Sequence, residues 1–171
     1  MRTFTHAAAV LLALTLLPGC SGTPAHDPAR PAIPSGENRT PSDFALAATL
    51  FTGENAPGDL EPIRFVIQPD GVLRAARGAG VSMDVLPPRT RNLNQSQLSM
   101  VYTQAVRKGL DRGIGGLPYT PGQQPTVAED AGILIVEFTA HDTRKVSAYD
   151  LAEHDGARSL VTTLRQLARI E

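Results

Sequence analysis

Five prolines, Pro24, Pro28, Pro31, Pro34 and Pro41, run through residues 21–42, which read SGTPAHDPARPAIPSGENRTPS, and they divide the chain into a part that cannot build a core and a part that can. Small and polar residues surround them, so the stretch has too little apolar surface to offset the entropy of ordering it. Repeated proline favours extended polyproline II at about 3.1 Å per residue, which makes the stretch a spacer reaching roughly 60 Å. Folding is therefore expected of residues 43–171 alone, long enough for one domain with a single core. Cys20 is the only cysteine, so no disulfide can form within the chain and packing must hold the domain together.

Ahead of the spacer, Arg2 is followed by an apolar run over residues 7–17 that ends in Leu17-Pro18-Gly19-Cys20. The run has the length of a signal-peptide core and falls short of the roughly 20 apolar residues needed to cross a bilayer. The four residues that close it resemble the lipobox of bacterial lipoproteins: an aliphatic residue three before the cysteine, a small residue just before it, then the cysteine. The resemblance implies residues 1–19 as a signal segment, cleavage after Gly19, and a diacylglyceryl group on Cys20, which would begin a spacer over residues 20–42. Ser21 after the cysteine, rather than Asp, implies the periplasmic face of an outer membrane, or the outer face of the plasma membrane where there is no outer one.

The remaining sequence alternates between strand and helix signals. Residues 44–52 place Phe44, Leu46, Ala48 and Leu50 on one face of a strand. Residues 63–68 and 72–77 flank Pro69-Asp70-Gly71, where proline presets φ and glycine supplies a positive one, the signature of a β-hairpin. Leu86-Pro87-Pro88-Arg89-Thr90-Arg91 lacks ladder donors at its prolines, so it cannot continue a central strand, and is expected to lead into a helix. That helix should start at an Asn94 cap with Gln97 completing a capping box, carry Leu98, Val101, Tyr102, Ala105 and Val106 as its apolar stripe, and run to about Gly109. Residues 110–131 are rich in Gly and Pro and read as a long loop, of the kind that is either functional or without order.

Residues 133–140 are apolar on both faces and read as a central strand, turned at His141-Asp142 into a more polar edge over residues 144–149. A last helix, from about Asp155 to Ile170, gathers Leu160, Val161, Leu164, Leu167 and Ala168 on one side. The expected fold is α+β: a two-layer sandwich with an antiparallel sheet of about five strands in the order βββ-α-ββ-α, both helices packed on one face.

Sixteen basic against seventeen acidic residues are not the balance of a dedicated nucleic-acid binder, which carries a positive excess to displace counterions. No G-x-S-x-G elbow is present, and Gly113-Ile114-Gly115-Gly116 lacks the spacing and the lysine of a phosphate loop. His141 and His154 are each followed by an aspartate and read as a turn and as the entry to a helix capped by Asp155, not as a metal-ligand set. No catalytic residue, metal or cofactor is assigned. Arg74, Arg77, Arg89, Arg91, Arg107 and Lys108 make the middle of the chain basic and form a candidate patch for anionic lipid headgroups, cell-wall polymers or an acidic protein, although solvated positions on separate faces would give the same run.

The order of hairpin, L-P-P-x-x-R, capped helix, apolar strand, second strand and terminal helix is similar to that of small protease-inhibitor proteins of the emfourin type, and the Asp-Gly hairpin matches too. No inhibitory residue carries over from that resemblance. The expected function is a membrane-tethered envelope module, without an active site, that binds or supports another component. An inhibitor or accessory subunit of an envelope enzyme, presenting residues 111–131, is the second expectation, and a hydrolase assembled from His141, Asp142 and Tyr149 the third.

Because two or three acyl chains hold a protein stably where one is marginal, Cys20→Ser is expected to move the protein out of the membrane fraction. Fractionation of cells expressing the variant checks this; recovery with the membranes would contradict it.

Overall fold

The hairpin turn at Gln68-Pro69-Asp70-Gly71 closes as its residue types require. Gly71 takes φ +82° and its N–H donates to Gln68 O at 2.9 Å, while Asp70 Oδ1 accepts from Val72 N–H at 3.0 Å. The turn joins β2 (Ile63–Ile67) to β3 (Val72–Arg77), and β2 pairs on its other side with β1 (Ala45–Thr52). The structure, a computed structural model, describes residues 39–58 and 60–170. The expected signal segment, Gly19, Cys20 and the spacer up to residue 38 lie outside the described residues.

A second tight turn makes the other hairpin. His141 and Asp142 both adopt positive φ, at 54° and 57°, the two-residue geometry whose twist suits adjoining strands. The Asp43 carboxylate fixes it by accepting the N–H groups of His141 at 3.0 Å and Asp142 at 2.7 Å, and the hydrogen bond from Asp142 is the main reason its pKa lies below the ordinary carboxylate value. Asp43 stands immediately before Phe44 and β1, so one side chain locks the start of β1 to the tip of its neighbouring hairpin.

The sheet is mixed with two helices in an α+β fold, and all of its strand pairs are antiparallel. Its spatial order is β4-β3-β2-β1-β6-β7-β5, with β4 at Arg89–Asn92, β5 at Leu117–Pro118, β6 at Gly132–Ala140 and β7 at Thr143–Asp150. The seven strands exceed the expected five by the two edges, β4 and β5. Residues 89–92 pair with β3: Pro87 and Pro88 precede the paired residues, and Pro88 contributes its carbonyl to Ala75 N–H at 3.2 Å. Proline is tolerated there because an edge strand needs donors on one side only. β5 has two residues and leaves no periodicity to detect.

Helix α1 (Gln95–Arg107) begins at Asn94 with both capping-box bonds formed, Gln97 N–H to Asn94 Oδ1 at 2.9 Å and Asn94 N–H to Gln97 Oε1 at 3.0 Å. Helix α2 (Asp155–Ala168) is capped by His154, whose Nδ1 accepts Ala157 N–H at 3.0 Å, rather than by Asp155 as expected. An unprotonated imidazole nitrogen can serve in place of a capping oxygen because it too offers a lone pair to an orphan N–H.

Residues of one sheet face, among them Leu46, Leu50, Phe65, Ile67, Leu134, Val136 and Phe138, form one core with Leu98, Val101 and Ala105 of α1 and Leu160, Leu164 and Leu167 of α2. Each such aliphatic or aromatic side chain, fully buried, contributes about 1.5–3 kcal/mol. Phe44, Tyr102 and Phe138 pack their rings at centroid distances of 5.3, 5.6 and 6.0 Å beside the Asp43 turn.

Candidate functional site

The core has to be closed beyond the helices at the β7 end of the sheet, and there the chain between α1 and β5 does so. After Lys108 it passes through successive turns, with Leu110 N–H on Ala105 O at 2.9 Å, Ile114 N–H on Gly109 O at 2.9 Å and Gly116 N–H on Gly113 O at 3.1 Å. Leu110 drops into the core, and Leu117–Pro118 then pairs with Ala148 and Ser147 of β7. The first part of the expected long loop is thus a ledge built on the domain.

Two side chains carry this ledge. Tyr149 is fully buried, its hydroxyl aimed at Leu110 O at 3.5 Å and its ring 4.6 Å from that of His154. Burial raises its phenol above the ordinary value, against a hydrogen bond with Ser147. Gly116 lies directly on the Tyr149 ring: a Cβ there would stand 2.5 Å from Cε1, so no larger residue fits without displacing the ring or the ledge. His154 meanwhile reaches Ile114 O with Nε2 at 3.0 Å. Since Nδ1 accepts the Ala157 N–H, the imidazole proton belongs on Nε2, which donates to that carbonyl. One histidine therefore caps α2 and pins the ledge.

Held in this way, the ledge turns apolar side chains outward. Leu117 is 75% exposed and Ile114 52%, in a domain whose other leucines and isoleucines are mostly buried. The edge is closed to further strands, because Pro118 has no N–H and that of Gly116 is already bonded to Gly113 O. Within the ledge Asp111 is partly buried; desolvation raises its carboxyl above the ordinary range, with Arg112 at 3.7 Å as counterweight.

The face of the sheet away from the helices holds a second polar arrangement. Arg64, alternating with the core residues of β2, is nine-tenths buried; it donates to Thr49 Oγ1 and approaches Glu137 Oε1 at 3.7 Å. Glu137 also binds Arg144, and burial lowers the Arg64 guanidinium from its ordinary value while Glu137 opposes that shift. A cleft of about 280 Å³ lies between residues 81–84 and 122–124, beside Phe51. Neither Arg64 nor Glu137 belongs to a sequence motif; the one signal of each is a charge inside an apolar strand, 63–67 and 132–140.

The six basic residues of the expected patch do not share one surface. Arg74 binds Gln68 and the Pro87 carbonyl, Arg77 pairs with Glu61 at 3.9 Å, and Arg89 donates to Asn92. Arg91 instead caps the other layer, donating to Leu167 O near the end of α2. Arg107 and Lys108 stand apart from these at the end of α1, where they join Arg39 around a groove. Nor are His141, Asp142 and Tyr149 brought together: the first two form the β6–β7 turn and Tyr149 lies buried near the other end of β7, under the ledge. That set forms no site. Among the described residues no group of three or more His, Cys, Asp or Glu could hold a metal ion.

No protein-family model matches the chain, and no curated protein sequence does.

Gly116→Ala is expected to destabilise the domain by about 1–3 kcal/mol, the usual cost of forcing extra volume into a packed site. Urea unfolding checks this, with Gly58→Ala, where a Cβ meets nothing within 4 Å, as the neutral comparison.

Proposed function

We propose that this protein is a lipid-anchored envelope module without an active site of its own, which engages a partner protein through Ile114 and Leu117 on the ledge. The observation that supports the reading is the combination of exposure with fixation at those two residues. An apolar side chain on a mobile loop loses entropy when it docks, whereas one on a pinned turn has already lost it. Val85 and Leu86 are exposed to a similar degree, so it is the fixation of the ledge by Tyr149 and His154 that sets Ile114 and Leu117 apart. The spacer and the Cys20 anchor belong to the same reading: they would present the ledge at a distance from the bilayer, to a partner in the envelope.

A second reading, an inhibitor or accessory subunit of an envelope enzyme, draws on the same ledge. Leu117 is followed by Pro118, so an enzyme cleft would meet a protruding leucine on a backbone whose φ is fixed at the next residue. The resemblance of element order to emfourin-type inhibitors agrees with it.

A photocrosslinking residue placed at position 117 in cells, and at exposed Glu153 as control, separates these outcomes. The expected result is a discrete protein adduct at 117 that is missing at 153 and lost when Ile114 is changed to Asp. Equal adducts at both positions, or an adduct indifferent to Ile114→Asp, would contradict the proposal. Loss of the captured partner's turnover on adding the purified module would favour the inhibitor reading.

A further inference from the structure

Helix α1 buries Leu98, Val101 and Ala105 and turns its other side to a groove of about 740 Å³. Arg39 walls the groove on one side, Arg107 and Lys108 close one end, Ser159 of α2 adds a hydroxyl, and Ser99 and Met100 form part of the floor. No acidic residue contributes to the lining among the described residues. Met100 is 46% exposed, an apolar side chain set among cations and hydroxyls. Charged donors, hydroxyl donors and one apolar residue within a single open concavity match a phosphodiester headgroup with the start of its acyl region.

The position of the groove in the chain is the second observation. Arg39 belongs to the segment that connects the domain to Cys20, so the wall of the groove is also where the connection to the anchor enters the fold. Arg39 follows Cys20 by 19 positions, so an anchored chain would keep the groove at a high effective concentration near the lipid surface, where even a weak headgroup site is occupied.

We propose that this groove docks the domain onto anionic phospholipid headgroups of the membrane that carries its anchor, an inference that rests on the lipid-anchor reading of Cys20. The docked domain lies with α1 on the bilayer. The docking gives the tethered module two states, one held against the lipid and one extended on its spacer, with the exchange governed by surface charge and salt.

The test uses the full lipidated protein in vesicles of phosphatidylcholine, with and without phosphatidylglycerol. A fluorophore on a Thr162→Cys variant, exposed one helical turn from Ser159 and outside the groove lining, and attached through the thiol that acylation of Cys20 leaves unmodified, reports contact with a quencher on the lipid headgroups; flotation of the same vesicles reports the anchor. The expected result is quenching severalfold stronger with phosphatidylglycerol, reversed by high salt and abolished by Arg39→Glu with Lys108→Glu, while the protein floats in every case. Equal quenching in the two compositions, as would follow if residues 21–38 filled the groove, or quenching unaffected by the paired charge reversal, overturns the docking and leaves the anchor standing. Failure to float with either composition brings down the anchor and the docking together.

Discussion

The β7 end of the molecule is organised around the ring of Tyr149. A phenol placed there needs apolar cover on its faces and a partner for its hydroxyl. Gly116 and His154 lie against the ring, and Ser147 and the Leu110 carbonyl meet the hydroxyl, so a segment with no regular structure becomes part of the core boundary. The arrangement works only because glycine lets the backbone reach van der Waals distance of the ring. The turns before it and the strand pair after it then follow from geometry, and Ile114 and Leu117 face outward because the inward positions are taken.

His154 links this closure to the helical layer. A single imidazole accepts from the first turn of α2 and donates to the ledge, so the orientation of the last helix and the position of the ledge share one side chain. The opposite end has an equivalent in Asp43, whose carboxylate ties the start of β1 to the β6–β7 turn. Between these two fastenings the sheet is continuous, and the largely buried Arg64–Glu137 pair, with exposed Arg144 bound to the same carboxylate, supplies polar contacts on the face that the helices leave uncovered. Breaking such a pair by removing one partner strands the other charge, which makes the set a constraint on the fold whatever its net contribution to stability.

Much of this was legible in the sequence where local chemistry is self-sufficient. The Pro69-Asp70-Gly71 turn, the Asn94–Gln97 capping box and the apolar stripes of both helices depend on neighbours within a few residues, and they formed as their spacing indicates. What escaped depends on distant parts of the chain. β4 and β5 are strands only because β3 and β7 offer them a ladder, and His154 displaces Asp155 as cap because the ledge also holds its ring. The six cations ran together in sequence but did not converge in space: Arg74 and Arg77 take opposite faces of β3, a register shift between Leu73 and Arg74 separates Arg91, which reaches α2, from Arg89, and Arg107 and Lys108 belong to the helical layer. Arg39, assigned to the spacer by its proline-rich surroundings, proved to line a groove with Arg107 and Lys108, a relation no local pattern carries.

The central claim is that the chain between α1 and β5 is a fixed part of the domain, held by Tyr149 and His154, and that its outward side chains gain their use from that fixation. Amide hydrogen exchange on the native domain, read residue by residue, tests it most directly. The account predicts that the amides of Leu110, Ile114, Gly116 and Tyr119, each bonded to another backbone carbonyl, exchange slowly in company with β6 and β7, and that His154→Ala speeds Ile114 and Gly116 far more than the amides of β1. Exchange at unprotected rates throughout residues 110–119 while β6 and β7 remain protected would contradict it.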